Sequence, residues 1–170
     1  MDILDIDTTK TILSPANKFL LILYENKNIE INLFNVYLPF GSEKFNDKLI
    51  LNIELEDNNN NNNIISKMIS LEENIKNGNM NIPFQTKNLL KTKGFTQNIK
   101  KSKLGYIIRS HILKNTEIFM KTKNNGKLDI DHINLVNTTC NIKGLIKGCW
   151  FNDNSYGLYI TLNSIEITKM

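Results

Sequence analysis

The chain has 170 residues, 41% hydrophobic and 22% charged, enough to enclose a core and too apolar for a disordered polypeptide. No apolar run approaches the roughly 18 residues of a membrane helix, and the opening MDILDIDTTK lacks a signal peptide's basic start and apolar stretch, so an intracellular protein is expected. The net charge of +4 is unevenly spread: residues 1–86 hold 7 Lys and 12 acids (−5), residues 87–127 hold 10 Lys, one Arg and one acid (+10), and residues 128–170 hold 3 Lys and 4 acids (−1).

KFLLILYE, Lys18 to Glu25, is short and rich in strand formers, and NKN follows as a turn. In IEINLFNVYL, Ile29, Ile31 and Leu33 alternate with Glu30, Asn32 and Phe34, which predicts the second arm of a β-hairpin. KLILNIELE resumes the alternation with Leu49, Leu51, Ile53 and Leu55 on one face, making a three-stranded meander. Asn58 to Asn63 is an unbroken asparagine tract and reads as a mobile loop. From Ile64 the spacing changes. Ile64, Ile65, Met68, Ile69, Glu72 and Ile75 recur at helical intervals with Gly78 as a C-cap, predicting one amphipathic helix over about 64–77.

Residues 79–103 read as irregular and basic. LGYIIRSHIL and TEIFMKTK predict two strands separated at Lys114-Asn115, NNGK is a turn, and LDIDHINLVN fits a short helix or strand. TCNIKGLIKGCWF and YGLYITLNSIEI close as a hairpin around Asn152-Asp153-Asn154-Ser155. No internal repeat or linker divides the chain, so one domain over 1–170 is expected. The pattern as a whole predicts a mainly β fold. A barrel interrupted by a helix points to an OB-fold-like, partly open barrel with extra strands, with a β-sandwich as the alternative.

Cys140 and Cys149 lie nine positions apart on one predicted strand, and neither His111 nor His132 stands at ligand spacing from them. They read as buried thiols in a reducing compartment. Asp129 and Asp131 form an Asp-x-Asp pair without a third acid or histidine of evident role. No nucleotide-binding, zinc-protease or nucleophile-elbow motif is present, so no enzyme, cofactor or metal is expected.

The basic stretch and the rings carry the functional reading. Non-specific binding of single strands combines a positive groove with side chains that stack on bases. Lys87, Lys91, Lys93, Lys100, Lys101, Lys103, Arg109, Lys121 and Lys123 are the candidate phosphate contacts. Phe95 and Tyr106 lie within that stretch, and the terminal hairpin adds Trp150, Phe151, Tyr156 and Tyr159; Phe95, Tyr106, Trp150 and Tyr156 are the candidate stacking rings. Twenty lysines against a single arginine favour phosphate contact over base reading, because arginine is the usual bidentate reader of guanine. Binding should therefore be weakly sequence-specific and strongly salt-dependent. The competing reading is a structural or assembly protein of a virion or RNA–protein particle, with residues 87–127 facing RNA or an acidic partner.

With these segments in order, the chain resembles the single-stranded DNA-binding proteins of large nucleocytoplasmic DNA viruses, which have OB-fold cores. The resemblance rests on VYLPFG (36–41), KLILNIEL (48–55) followed by a helix, FTQNIKKSK (95–103) before LGYIIRSHIL, and IKGLIKGCWFNDNSYGLYITLNSIEI (142–167). It implies a viral protein that coats exposed strands in DNA replication, recombination or repair, with Lys100, Lys101, Lys103, Tyr106 and Trp150 at the family's basic and aromatic positions. Single-stranded DNA is the implied partner. RNA, replication proteins and a second copy of the chain remain open as others. The sequence ends in IEITKM where many single-strand binders end in an acidic tail, so recruitment through such a tail is not expected.

Overall fold

The computed structural model describes residues 1–16, 19–45, 48–121, 126, 128–129 and 133–169. Among the described residues, ten strands and two α-helices follow two short 3-10 turns, Ile3–Asp5 and Thr8–Lys10. The strands are β1 (Ile12–Ala16), β2 (Phe19–Leu23), β3 (Ile29–Leu38), β4 (Ser42–Phe45), β5 (Lys48–Glu56), β6 (Gly94–Phe95), β7 (Ile99–Lys101), β8 (Gly105–Met120), β9 (Thr138–Phe151) and β10 (Ser155–Lys169). The helices are α1 (Asn59–Asn77) and α2 (Phe84–Lys91).

Five strands close a ring. β3 pairs with β5, β5 with β8, β8 with β10, β10 with β9, and β9 returns to β3. The β8–β10 pairing is parallel and the other four are antiparallel. The β3–β5 seam is joined only at Tyr37↔Glu54, so the barrel is partly open there. This is the OB-fold-like barrel that the alternating pattern predicts. β1 and β2 extend its wall beyond β9, β4 pairs with β5, and β6 and β7 lie along β10 and β8.

The core follows from the alternation. Leu51, Ile53 and Leu55 of β5, Ile108 and Ile112 of β8, and Leu158, Ile160 and Leu162 of β10 are all buried. α1 lays Ile64, Ile65, Met68, Leu71 and Ile75 onto this core, and Gly78 ends it in the left-handed conformation at φ 67°. Cys140 and Cys149 are free, buried thiols of β9, as their context predicts.

Three expectations change. The helix begins at Asn59, so the asparagine tract is helical and not a loop. Asn58 is the N-cap, its side chain accepting from the Asn61 N–H at 3.0 Å, and Asn61 in turn donates to the Glu56 carbonyl; asparagine is among the best residues for that position. Residues 84–91 of the segment read as irregular form α2, which buries only Thr86 and Leu90 and so leaves a weak periodic signal. Finally, Lys114-Asn115 does not divide two strands. β8 runs through, because the Thr116 hydroxyl accepts from Leu113 N–H at 2.9 Å and donates to the Leu162 carbonyl at 2.7 Å, replacing the ladder bonds lost at an irregular register. The NNGK turn lies almost wholly outside the described residues, as do Asp131 and His132.

The terminal hairpin is as predicted. The Asn152 side-chain oxygen accepts from the N–H groups of Asn154 (2.9 Å) and Ser155 (2.8 Å), closing the turn between β9 and β10.

Candidate nucleic-acid interface

Side chains alternate between the two faces of a sheet, and directly opposed partners share a face. With Ile53, Ile108, Ile112 and Leu158 inside, the intervening positions lie outside. Asn52↔Arg109 and Ile50↔His111 are outward pairs of β5 and β8, Thr161 of β10 partners His111, and Trp150 of β9 partners both Gly157 of β10 and Phe19 of β2. Lys48 and Tyr159 lie two residues from Ile50 and Thr161 on the same face.

Three rings of this face form one row, with Trp150 beside it. The His111 and Tyr159 centroids are 4.8 Å apart and those of Tyr159 and Phe19 are 6.3 Å apart, each pair tilted by 51°. Trp150 joins from β9. A Cβ on Gly157 would sit 3.1 Å from Trp150 Cζ2 and 3.2 Å from Nε1, so the missing side chain lets the indole reach across β10. Burial, aided by Lys48 and Arg109, pushes the His111 imidazole down to about 4, so it is neutral at pH 7. Burial raises the Tyr159 phenol, which stays protonated. The rings are thus uncharged, and they are partly exposed, as stacking platforms must be.

Cations flank the row on the β5–β8 side. Lys48 is exposed and close enough to His111 to affect its titration. Arg109 stands on β8, with its guanidinium 3.6 Å from Glu43 of β4. Lys100 of β7 is exposed and paired with Ile107, on the side of Arg109.

β7 is held there by Asn98 and Glu72. Where β8 and β10 diverge, the Asn98 amide spans them, donating to the carbonyls of Arg109 (2.8 Å) and Leu158 (3.3 Å) and accepting from Arg109 N–H (3.1 Å). The Asn98 backbone N–H donates to Glu72 Oε1 of α1 at 2.6 Å. Burial raises the Glu72 carboxyl to about 7 although that bond favours the charged form.

The basic stretch does not form one continuous trough. β8 spans 16 residues, about 50 Å at roughly 3.3 Å per residue, so exposed Lys121 at its end is remote from exposed Lys103 before its start. Lys87 and Lys91 are exposed on α2. Lys93 donates to the carbonyls of Asn152 (2.5 Å) and Asp153 (2.9 Å), bracing the terminal turn. Lys101 pairs with Tyr106 on the opposite side of the sheet from Lys100, and Tyr106 packs partly buried against the core. Lys123 lies outside the described residues. Tyr156 is corrected from stacking ring to core: it is 4% exposed and meets Phe95 edge to face at 5.2 Å, which also leaves Phe95 partly buried. Of the thirteen site residues read from the sequence, Arg109, Lys100 and Trp150 fall on the ring-bearing face. Phe19, His111, Lys48 and Asn52 were not among them, and Tyr159 counted only as a ring of the terminal hairpin. Its local signal is the alternation Gly157, Tyr159, Thr161 opposite a buried face.

No protein family matches the chain, and no curated protein matches it in sequence. Solved structures do. The fold is similar to that of phage single-stranded DNA-binding proteins. The single-stranded DNA-binding protein from bacteriophage Enc34 is similar with a TM-score of 0.55 at 13% identity, covering 95% of this chain and 90% of its own. The same phage protein in complex with single-stranded DNA gives 0.53 at 12% identity, covering 95% and 96%. The single-stranded DNA-binding protein gp2.5 encoded by bacteriophage T7 gives 0.57 at 6% identity, covering 85% and 88%. Among the described residues, no helix is long and apolar enough to cross a membrane and no cluster of three or more His, Cys, Asp or Glu could hold a metal ion.

Proposed function

We propose that the chain binds single-stranded DNA without catalysis and with little regard for sequence. The strand would cross the outer barrel face from Lys48, Arg109 and Lys100, over His111 and Tyr159, to Trp150 and Phe19. The observation that carries this reading is the row of uncharged rings beside cations on one face, in a fold shared with phage proteins that bind single-stranded DNA. Each base stacked on such a ring contributes about 1–3 kcal/mol whatever its identity, while ammonium groups meet phosphates as point charges. The resemblance to proteins of large nucleocytoplasmic DNA viruses extends the proposal. The chain would be a one-domain viral protein that coats strands exposed in replication, recombination or repair.

Trp150 is the chain's single tryptophan and reports directly on the face. Titration with oligo-dT should quench its fluorescence, and binding should weaken steeply as salt rises. Parallel titrations with RNA and duplex DNA of equal length should give weaker binding. Preference for RNA would replace the DNA reading with that of an RNA–protein particle component, and no binding to any of the three would remove both.

A further inference from the structure

Glu43 puts a negative charge on the face proposed for a polyanion. It lies on β4, a four-residue strand whose register partner is β5. The pairing Glu43↔Ile50 turns its side chain outward, toward the Asn52↔Arg109 pair. Glu43 Oε1 is 3.6 Å from Arg109 Nη2 and accepts from Asn52 Nδ2 at 3.1 Å. The carboxylate is 54% exposed and the guanidinium 44%. One acidic oxygen thus lies in ion-pair range of one terminal nitrogen of the chain's single arginine, the side chain best shaped to take a phosphate bidentately.

We infer that Glu43 stands in for a phosphate at Arg109 in the free protein and is displaced when a phosphodiester arrives. The inference rests on the single-strand reading above and names a residue that sets its affinity. Carboxylate and phosphate compete for the same donors, so binding includes the cost of releasing Glu43. Exposed pairs of this kind are weak, and releasing one changes a binding constant by no more than about fivefold. The Asn52 amide keeps the carboxylate within reach, so the pair re-forms when DNA leaves. The arrangement lowers affinity without reducing the number of phosphate contacts, which suits a protein that must vacate a strand before copying.

The test is a double-mutant cycle read by anisotropy of a labelled oligo-dT across a salt series. Glu43→Gln keeps an acceptor for Asn52 and removes the charge. It should tighten binding about two- to fivefold and steepen the log–log salt slope by up to about 0.7, because Gln draws no cation when Arg109 leaves it. In an Arg109→Gln background the same change should have less than about a 1.5-fold effect. Equal tightening in both backgrounds would reduce Glu43 to a general repulsive charge and overturn the inference. Unchanged or weaker binding by Glu43→Gln would overturn it as well. Failure of the unmodified protein to bind oligo-dT would instead sink the single-strand reading, a distinguishable result. Thermal midpoints within a few degrees of each other confirm that all four chains are folded.

Discussion

Glu72→Gln should make the protein more stable in mild alkali and leave it nearly unchanged in mild acid. The Glu72 side chain is buried on α1, and its carboxyl is raised from 4.5 to about 7, first by burial and against the opposing bonds from the Asn98 and Ile99 N–H groups. The folded chain therefore holds a proton up to about pH 7 that the unfolded chain releases near 4.5. Stability from this proton is complete below 4.5 and is lost as pH rises through 7. At about 1.4 kcal/mol for each unit the loss has a ceiling near 3 kcal/mol. For a chain of this size that is roughly 6–12 °C in Tm. Glutamine has the same shape, still accepts from Asn98, and does not ionise. Its amide adds one donor to satisfy, a cost that does not vary with pH. The measurement is the Tm difference between variant and parent from pH 5 to 8, by circular dichroism. His111 titrates in the opposite sense, its depressed value withdrawing stability as pH falls from 6.5 toward 4, but it is present in both chains and cancels. A difference that stays flat over this range, or grows toward acid, refutes the reasoning.

Tyr159→Ala should weaken oligo-dT binding about 5- to 150-fold, the equivalent of one stacked ring, with little change in salt slope; loss of slope instead would assign the residue an electrostatic role. Lys100→Gln should lower the magnitude of the salt slope by about 0.7, whereas Lys121→Gln, at the remote end of β8, should leave it unchanged. An equal drop for both would mean that the strand runs the length of β8. Met68→Ala removes a fully buried side chain from the helix–barrel contact and should cost about 2–5 kcal/mol in denaturant unfolding, with oligo-dT affinity unchanged at low temperature.

Much of the barrel was legible because it follows from alternation. β3, β5 and the β9–β10 hairpin each carry a period of two with turn residues between, and α1 declares its buried stripe from Ile64 to Ile75. What stayed hidden depends on side chains acting as backbone. Asparagine is a poor helix interior residue, yet Asn58 serves as a cap and carries the start of α1 back to Asn59. Lys114-Asn115 looks like a break because nothing local announces that Thr116 will bond the Leu162 carbonyl 46 residues away. The interface was less legible for a related reason. Charge dense along the chain is not dense in space when an extended strand carries it. Conversely, Tyr159 meets both Phe19 and His111 through the register of β2, β8 and β10, strands far apart in the sequence.

The asparagine run at the head of α1 has an evolutionary corollary. Repeats of this sort change length readily when a template slips during copying, and here each unit is competent to serve as the new cap. Insertion or deletion would slide the first turn outward or inward by about 1.5 Å per residue. From Ile64 onward the contacts with the barrel would be untouched. The molecule therefore carries a segment whose length can change provided that a neighbouring asparagine takes over the bond from Asn61 to the Glu56 carbonyl at the end of β5.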